Sequence, residues 1–469
     1  MELNNKKVLV VGLGRTGVAT ASFLKKRGAR VTVADLAAEQ DLGEYAQKVH
    51  EMGIRLELGP HRSKTFNGSD LIVLSPGVPH EIGPILRAKK NNIAVMGEIE
   101  MAFRFISEPI IAVTGTNGKT TTTSLLGEML KKSGHSVFVG GNIGRPLIGY
   151  PDKKEKAEII VAEVSSFQLD TIDTFRPKIA ILLNIADDHL DRYPDFAAYV
   201  RSKFRIFENQ KAKDVAILDG SDPKMLSAAG NIVSRKLFIT GRRDGKEGAD
   251  ISDENIFLYL NSDRVANDTF GRNGRTVSSK FNIKRSDLRI PGKHNAKNVA
   301  AASLAALAAG GTLGGVQAAL NNFQGLSHRL EYIATINGVR YFNDSKATNI
   351  DAVRRALACF SDSVILIMGG RNKGGDFDAL AESVGRHVKE IIALGEARQD
   401  ISFSLGSVVS VITATTMEDA VIKATRRSTP GNIVLLSPAC SSFDMYKDYA
   451  HRGAVFTEAV KKLQKNRHD

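Results

Sequence analysis

Three times along the chain an apolar run rich in β-branched residues ends in a glycine loop: KVLVVGLGRTG from Lys7, IIAVTGTNGKT from Ile110 and SVILIMGGRNKGG from Ser363. A short, continuous apolar run followed by a glycine loop and a helical pattern reads as a buried strand turning into a helix. Further apolar runs at residues 29–34, 70–74, 158–161, 179–183 and 391–394 alternate with helical patterns. That alternation predicts parallel sheets with crossover helices, and the three glycine corners predict three α/β domains in series. The pattern pauses near residues 97–109 and again near Gly325, so the domains are expected at 1–98, 99–325 and 326–469. Residues 244–290 are polar and poorly periodic, predicting hairpins or short strands carried on the central domain. The segment HNAKNVAAASLAALAA from His294 is Ala-rich and predicts a helix.

Composition narrows the function. A chain of 469 residues exceeds what one core usually supports, and 42% hydrophobic with 25% charged residues is the make-up of folded globular domains. A formal net charge of +13 raises nucleic acid, an anionic membrane or anionic small substrates as partners. The Lys and Arg residues are spread along the chain, and the densest run, KKLQKNRHD, reads as a solvated helix end. Small anionic substrates are therefore expected, and nucleic acid and membrane are not. Only Cys359 and Cys440 occur, far apart and without metal-ligand spacing, which predicts neither a disulfide framework nor a zinc site and fits a reducing cytoplasm. The first apolar run flows into a glycine loop, unlike a signal peptide, and no segment reaches the roughly 18 apolar residues of a membrane span.

The first loop, Gly12-Leu13-Gly14-Arg15-Thr16-Gly17, matches G-x-G-x-x-G after a strand, and Asp35 follows at the distance of a ribose-binding acid. Three readings are open: NAD, another diphosphate nucleotide, or glycines that only allow close packing, because backbone N–H groups at a helix start select the phosphates and not the base. The central loop, Thr114 to Thr120, ends in Gly118-Lys119-Thr120 but has Val113 where the common phosphate-loop spelling wants glycine. Lys119 can set a cation against terminal phosphates and the Thr120 hydroxyl can ligate Mg²⁺, so a nucleoside triphosphate is expected here. Glu163 ends the apolar run EIIVAE, where a carboxylate is costly unless it meets a cation; the alternative is a glutamate capping a loop. Downstream, Asp187, Asp188, His189 and Asp191 cluster at another strand end ahead of Lys203, which points to a metal or phosphate role for the histidine.

The segments TGTNGKTTT, GNIG, EVSSFQL, DDHLDRYPDF, SKFRIFE, PGKHNAKN, GLSHRLE, FNDSKATN and SPACSSFDMYKDYAHRG, in that order along nearly the whole chain, resemble the Mur ligases of peptidoglycan synthesis. TGTNGKT is that family's own phosphate-loop spelling, shared with folylpolyglutamate synthases, so Val113 is expected. The resemblance implies an N-terminal Rossmann-like UDP-binding domain, a central P-loop ATPase-like domain with a mostly parallel sheet, and a C-terminal Rossmann-like domain that binds the amino acid. It implies a monomeric cytoplasmic enzyme that uses ATP to phosphorylate the carboxylate of UDP-N-acetylmuramoyl-L-alanine and lets the D-glutamate amine displace the phosphate, releasing ADP.

Carried over by position, the resemblance places ATP against Gly115, Thr116, Asn117, Gly118, Lys119, Thr120, Thr121, Asn295, Asn298, Arg329 and Asp344, bridging two domains whose closure assembles the site. Two Mg²⁺ ions are implied, one on Thr120 and Glu163 and one on His189 and Lys203, the lysine being carbamylated so that it offers oxygen instead of an ammonium. Lys119, His189 and Lys203 are the implied catalytic groups. The UDP substrate is expected at Gly14, Arg15, Thr16, Asp35, Ser75, Pro76, Gly77, Asn142 and His189. D-Glutamate is expected at Lys346, Thr348, Lys373, Ser442 and Phe443; Phe443 and Tyr449 read as core packing apart from the resemblance. No DNPR stretch of the diaminopimelate-adding relatives is present. Two other functions are kept: a Mur-type ligase adding a different amino acid, and an NAD-dependent oxidoreductase fused to a P-loop module.

Overall fold

A computed structural model describes residues 1–188, 192–240, 247–261, 278–290 and 292–465. The chain divides into two compact units. Met1–Asn184, Ala197–Arg285 and Lys297–Asn321 form one; Ile185–Phe196, Ser286–Ala296 and Asn322–Asp469 form the other.

The first unit holds two sheets. Strands β1 (Lys7–Val11), β2 (Arg30–Asp35), β3 (Arg55–Leu58), β4 (Leu71–Leu74) and β5 (Ala94–Gly97) make a parallel sheet in the order β3-β2-β1-β4-β5. Leu9, Val10, Ile72 and Val73 are fully buried because helices cover both faces, which is why these strands read as unbroken apolar runs. The order reverses between β1 and β4, so the loops after these two strands open a crevice at the carboxyl edge.

The second sheet has nine strands: β6 (Ile110–Thr114), β7 (Val137–Gly141), β8 (Ile159–Glu163), β9 (Ile179–Leu182), β10 (Val215–Asp219), β11 (Arg235–Thr240), β12 (Gly248–Ile251), β13 (Asn255–Asn261) and β14 (Ser278–Lys284). Their order is β14-β13-β12-β11-β10-β9-β6-β8-β7. Pairing is parallel from β7 to β12 and antiparallel for β12–β13 and β13–β14. The polar stretch thus supplies short strands that extend the sheet edge. β6 lies between β8 and β9, so the loops after all three leave from one place.

The second unit carries β15 (Glu331–Ile336), β16 (Val339–Asn343), β17 (Val364–Gly369), β18 (Val388–Leu394), β19 (Ser410–Thr413) and β20 (Ile433–Leu436), in the order β15-β16-β20-β17-β18-β19. β15 and β16 form a hairpin around Asn337 and Gly338, both at positive φ (50° and 73°), the conformation of a two-residue I′ turn. The other pairs are parallel.

Within the first unit, the short helix Glu98–Phe103 after β5 anchors on the second sheet's layer through two buried glutamates. Glu100 accepts backbone N–H groups of Asp173, Thr174 and Phe175 at 3.0, 3.0 and 2.9 Å, the Thr174 hydroxyl at 2.6 Å and Arg104 at 2.8 Å. Burial alone would raise its pKa, yet this set of donors holds it below the ordinary carboxylate value. Glu98 accepts the Ile148 N–H at 2.7 Å. There burial wins over the donors from Ile148, Gln168 and Leu147, and the carboxyl is pushed up to about 7.

The sign follows. Below an ordinary value of 4.5 Glu98 is protonated folded or unfolded; as pH rises to about 7 only the unfolded chain releases the proton, so folding loses stability across that window. Glu98→Gln, which keeps the acceptor and cannot ionise, is expected to gain up to ~3 kcal/mol over wild type by pH 8 and little near pH 5. Thermal melts of both proteins at the two pH values check this; an equal difference at both would mean that folded Glu98 is ionised throughout.

Candidate functional site

The corner after β6 is built by its glycines. Val113 is fully buried within β6, paired with Glu163 on β8 and Ile181 on β9, so no loop glycine is needed there. The positive-φ positions are Gly115 (150°) and Gly118 (85°). A Cβ on Gly118 would stand 2.4 Å from Oδ1 of Asn298, which brings this expected ATP contact against the loop. Asn184 clamps the loop from the end of β9: its backbone carbonyl accepts the Thr116 N–H, and its side chain accepts the Asn117 N–H and donates to the Asn117 carbonyl, each at 2.9 Å. The helix Lys119–Lys132 starts directly after Gly118, so Thr120 and Thr121 lie in its first turn, where N–H groups favour anions.

Two ammonium groups converge on one carbonyl. Lys119 donates to the Gly115 and Thr116 carbonyls at 2.7 and 2.8 Å, and Lys203, from the helix Phe196–Phe204, donates to the Gly115 carbonyl at 2.9 Å. Lys203 is 1% exposed and lies 4.5 Å over the Tyr199 ring, whose hydroxyl hydrogen-bonds Thr116 at 3.1 Å. Glu163, buried at the end of β8, accepts the Asn142 amide at 2.8 Å through Oε1, while Oε2 has no hydrogen-bond partner among the described residues. A buried carboxylate oxygen left without a partner can ligate a cation, which fits the Mg²⁺ position expected at Glu163. His189 and Asp191 lie outside the described residues.

The crevice of the first sheet is a cleft of 600 Å³. Gly14, Arg15, Thr16, Asp35, Ser75, Pro76, Gly77 and Asn142 all line it, together with Leu36, His61 and Gln168, which the sequence did not single out. The three glycines do different work. Gly12 turns at φ 92°, and a Cβ on Gly17 would stand 2.2 Å from the Gly12 carbonyl oxygen, so the helix Arg15–Lys26 can only approach β1 without a side chain there. Gly14 faces open space, where a phosphate can reach the backbone. Asp35 braces the loop by accepting the Leu13 N–H at 2.6 Å and the Ala37 N–H at 2.8 Å, and Ser75 donates to the Gly12 carbonyl at 2.8 Å.

In the second unit the loops after β16, β17 and β20 meet. Thr348 and Lys373 line a small cavity of 140 Å³ with Asp187, Asp188 and Asn349. Asp188 accepts Lys373 and Asn349, both at 3.0 Å. Lys346 is held 3.6 Å over the Tyr449 ring, Ser442 is buried and Phe443 is 66% exposed, so Phe443 is no core residue; these three do not line the cavity. Arg329 sits between His328 and Leu330, both at positive φ (64° and 46°), a strained conformation for such side chains. Asp344 accepts the Leu330 N–H and the Ser437 hydroxyl, both at 3.1 Å, and burial pushes its carboxyl up to about 7. Asn295 is buried near the start of the helix Lys293–Ala308, beside His294, whose imidazole burial pushes down to about 4.

Sequence reading missed Arg452. From the helix Tyr449–Lys465 its buried guanidinium donates to the Ser345 hydroxyl (3.0 Å) and carbonyl (2.8 Å), to the Cys440 carbonyl (3.1 Å) and to the Ser441 carbonyl (3.3 Å). It therefore ties the loop of Lys346 and Thr348 to the loop of Ser442 and Phe443. An arginine on an amphipathic helix carries no sequence signal for this.

A glycine cradle on one parallel sheet and a lysine-bearing phosphate loop on another define a nucleotide-dependent α/β enzyme with a Rossmann-like sheet at its N-terminus. The chain belongs to the Mur ligase family: residues 6–97 match the MurD-like N-terminal domain, 113–306 the middle domain and 328–440 the glutamate ligase domain. It is 51% identical over 468 residues to the UDP-N-acetylmuramoylalanine–D-glutamate ligase of Desulfosudis oleivorans, covering 100% of this chain and 99% of that one. It is 46% identical over 463 residues to the enzyme of the same name from Desulfatibacillum aliphaticivorans, covering 99% and 100%. The fold is shared with UDP-N-acetylmuramate–alanine ligase of Thermotoga maritima (TM-score 0.59, 19% identity, 98% of this chain and 100% of that chain). It is shared likewise with the MurF ligase of the same organism in complex with ADP (TM-score 0.60, 17% identity, 99% and 96%).

Replacing Arg452 by Met keeps the bulk and removes every donor, leaving buried carbonyls unpaired. The expected cost is at least ~2 kcal/mol, with faster hydrogen exchange in segments 344–348 and 439–443. A thermal melt and exchange mass spectrometry read both; wild-type values in each would remove Arg452 as the clamp.

Proposed function

We propose that the chain joins D-glutamate to UDP-N-acetylmuramoyl-L-alanine at the expense of ATP, releasing ADP and phosphate, as a monomeric cytoplasmic enzyme of peptidoglycan precursor synthesis. The observation that carries this reading is the match along the full chain to ligases named for that reaction. The proposed division of labour is UDP substrate on residues 1–98, ATP on 99–325 and amino acid on 326–469. Among the described residues no helix is long and apolar enough to cross a membrane.

In this reading the UDP diphosphate rests on the N–H groups at Gly14, Arg15 and Thr16, with Asp35 and the Ser75-Pro76-Gly77 turn around the nucleoside. Asn142 holds the far end of the substrate towards Glu163. The ATP phosphates take the N–H groups from Gly115 to Thr121, and Lys119 leaves its loop carbonyls to neutralise the transferred phosphoryl group. Asn295, Asn298, Arg329 and Asp344 complete the nucleotide contacts. The carboxylate attacks the γ-phosphorus and ADP leaves; the D-glutamate amine then attacks the acyl carbon, and phosphate leaves as the amide forms. Lys346, Thr348, Lys373, Ser442 and Phe443 orient the amino acid. Mg²⁺ when bound supplies charge neutralisation on the phosphoryl oxygens, held by Thr120 and Glu163 and, for a second ion, by His189 and Lys203.

Carbamylation of Lys203 is supported by the electrostatics: a second buried ammonium on the carbonyl that Lys119 already uses is repelled, whereas a carbamate is attracted. Lys203→Ala is expected to lose at least ~100-fold in rate and to recover part of it with added acetate or formate. A variant with near-normal activity and no response to acetate would take Lys203 out of the site.

Phosphate release with UDP-N-acetylmuramoyl-L-alanine, screened across amino acids, tests the whole reading. Turnover is expected with D-glutamate alone. Turnover with L-lysine, diaminopimelate or L-alanine instead would assign a different Mur-type ligase, and NAD(H) binding without turnover would revive the oxidoreductase.

A further inference from the structure

Little of the chain's charge surplus lies in the first sheet's cleft: the 600 Å³ cleft is lined by one Lys or Arg, Arg15. A larger cleft, of 790 Å³, lies at the other end of the same sheet, lined by Lys7, Lys25, Arg30, Arg55, Arg62 and Lys64 against a single carboxylate, Glu57. It opens beside the amino ends of β1 and β2, facing the short helix Ser63–Asn67 and its flanks, with Lys25 and Gly53 also in its lining. The five residues from Lys7 to Gly12 put it roughly 17 Å from the glycine loop along β1.

Glu57 is already engaged: one oxygen pairs with Arg55 at 2.7 Å and the other accepts the Thr65 hydroxyl at 2.6 Å. Lys25 donates to the Met52 carbonyl. Among the described residues no ion pair is formed by Lys7, Lys25, Arg30, Arg62 or Lys64, so five cations around one concavity lack an acid. Nearby Asp70 accepts the Lys7 backbone N–H at 2.8 Å and is not part of the lining.

We propose that this cleft is a second anion site, taking a small molecule that carries two or more linked phosphates. The spacing favours a chain of phosphates over a single anion. Lys7 pairs in register with Arg30, and Thr32 with Arg55, so the cations span three neighbouring strands, about 10 Å at the usual interstrand distance. Arginine forks grip phosphate oxygens two at a time. The concave shape fits a small molecule, and the lining has no aromatic platform for stacked bases and no exposed large apolar side chain to enter a bilayer.

The test is calorimetric titration of the full chain with inorganic tripolyphosphate in magnesium-free buffer. The proteins compared are wild type, Lys119→Ala, Arg15→Ala and the double variant Arg30→Ala/Arg62→Ala. One saturable site is expected to survive in Lys119→Ala and Arg15→Ala, to weaken with added salt, and to lose at least ~10-fold in affinity in the double variant. Because Arg30 and Arg62 are exposed, the double variant should keep the wild-type melting temperature. The proposal is overturned if Lys119→Ala shows no saturable binding, or if the double substitution leaves affinity unchanged. It is equally overturned if phosphatidylglycerol vesicles or a single-stranded oligonucleotide bind there in preference to tripolyphosphate. No ligation is measured, so the outcome is independent of the proposed reaction.

Discussion

The hydrogen bond from the Asn142 amide to Glu163 Oε1 is the constraint on which the first unit's chemistry depends. A half-paired carboxylate at the end of a fully buried strand costs free energy, and the fold is shaped to keep it there. Gly141 ends β7 because a Cβ would stand 2.3 Å from the Glu163 carbonyl oxygen, which also accepts the Asn142 N–H at 2.8 Å. On its other side Glu163 pairs with Val113, the residue that fixes where β6 releases the phosphate loop. Asn142 lines the cleft of the first sheet, so one carboxylate joins that cleft to the corner where phosphates are expected.

Much of this was legible in the letters because it is local. Each of the three apolar runs before a glycine loop became a central strand, and the reversal of strand order beside β1 put the predicted Ser75-Pro76-Gly77 turn next to the glycine cradle. The polar stretch after residue 244 reads as hairpins or short strands, and it forms antiparallel pairs; that these extend the edge of a largely parallel sheet is set by tertiary pairing. What escaped depends on tertiary neighbours. Glu98 and Glu100 look like an ordinary charged first turn until the chain brings the N–H groups of residues 147–148 and 173–175 to them. Arg452, Asn184 and Asp188 likewise gain meaning only from carbonyls, amides and cations distant in sequence.

Ionisation in the second unit follows the same logic of burial against partners. Burial raises the Asp344 carboxyl to about 7 against its two neutral donors, and burial pushes the Cys440 thiol up to about 12 although the nearby Arg452 guanidinium lowers it. Arg452 itself is pulled down to about 10 by burial. Its guanidinium donates to a ring of carbonyl dipoles, with Asp444 acting on it as a nearby acid, an arrangement that orders two loops. The strained backbone at His328 and Leu330 persists for the same reason: Asp344 takes the Leu330 N–H and Glu331 takes the His328 N–H, at 3.1 and 2.8 Å, so the conformation is over-determined.

The glycine fingerprint shows where local reading ends. Gly12, Gly14 and Gly17 turn, open and pack as they would around any nucleotide diphosphate, so the motif alone leaves NAD and UDP equally served. Asp35 narrows the choice little, because each of its oxygens already accepts a backbone N–H and keeps a further lone pair for a ribose hydroxyl of either nucleotide. The distinction lies in what borders the cleft. Gln168 and Asn142 come from the second sheet's loops and carry the lining from the nucleotide cradle to Glu163. A hydride-transfer partner would need nothing from that carboxylate, whereas a substrate whose far end must be phosphorylated needs the cradle joined to the cation position proposed at Glu163, and the Asn142–Glu163 bond joins the two.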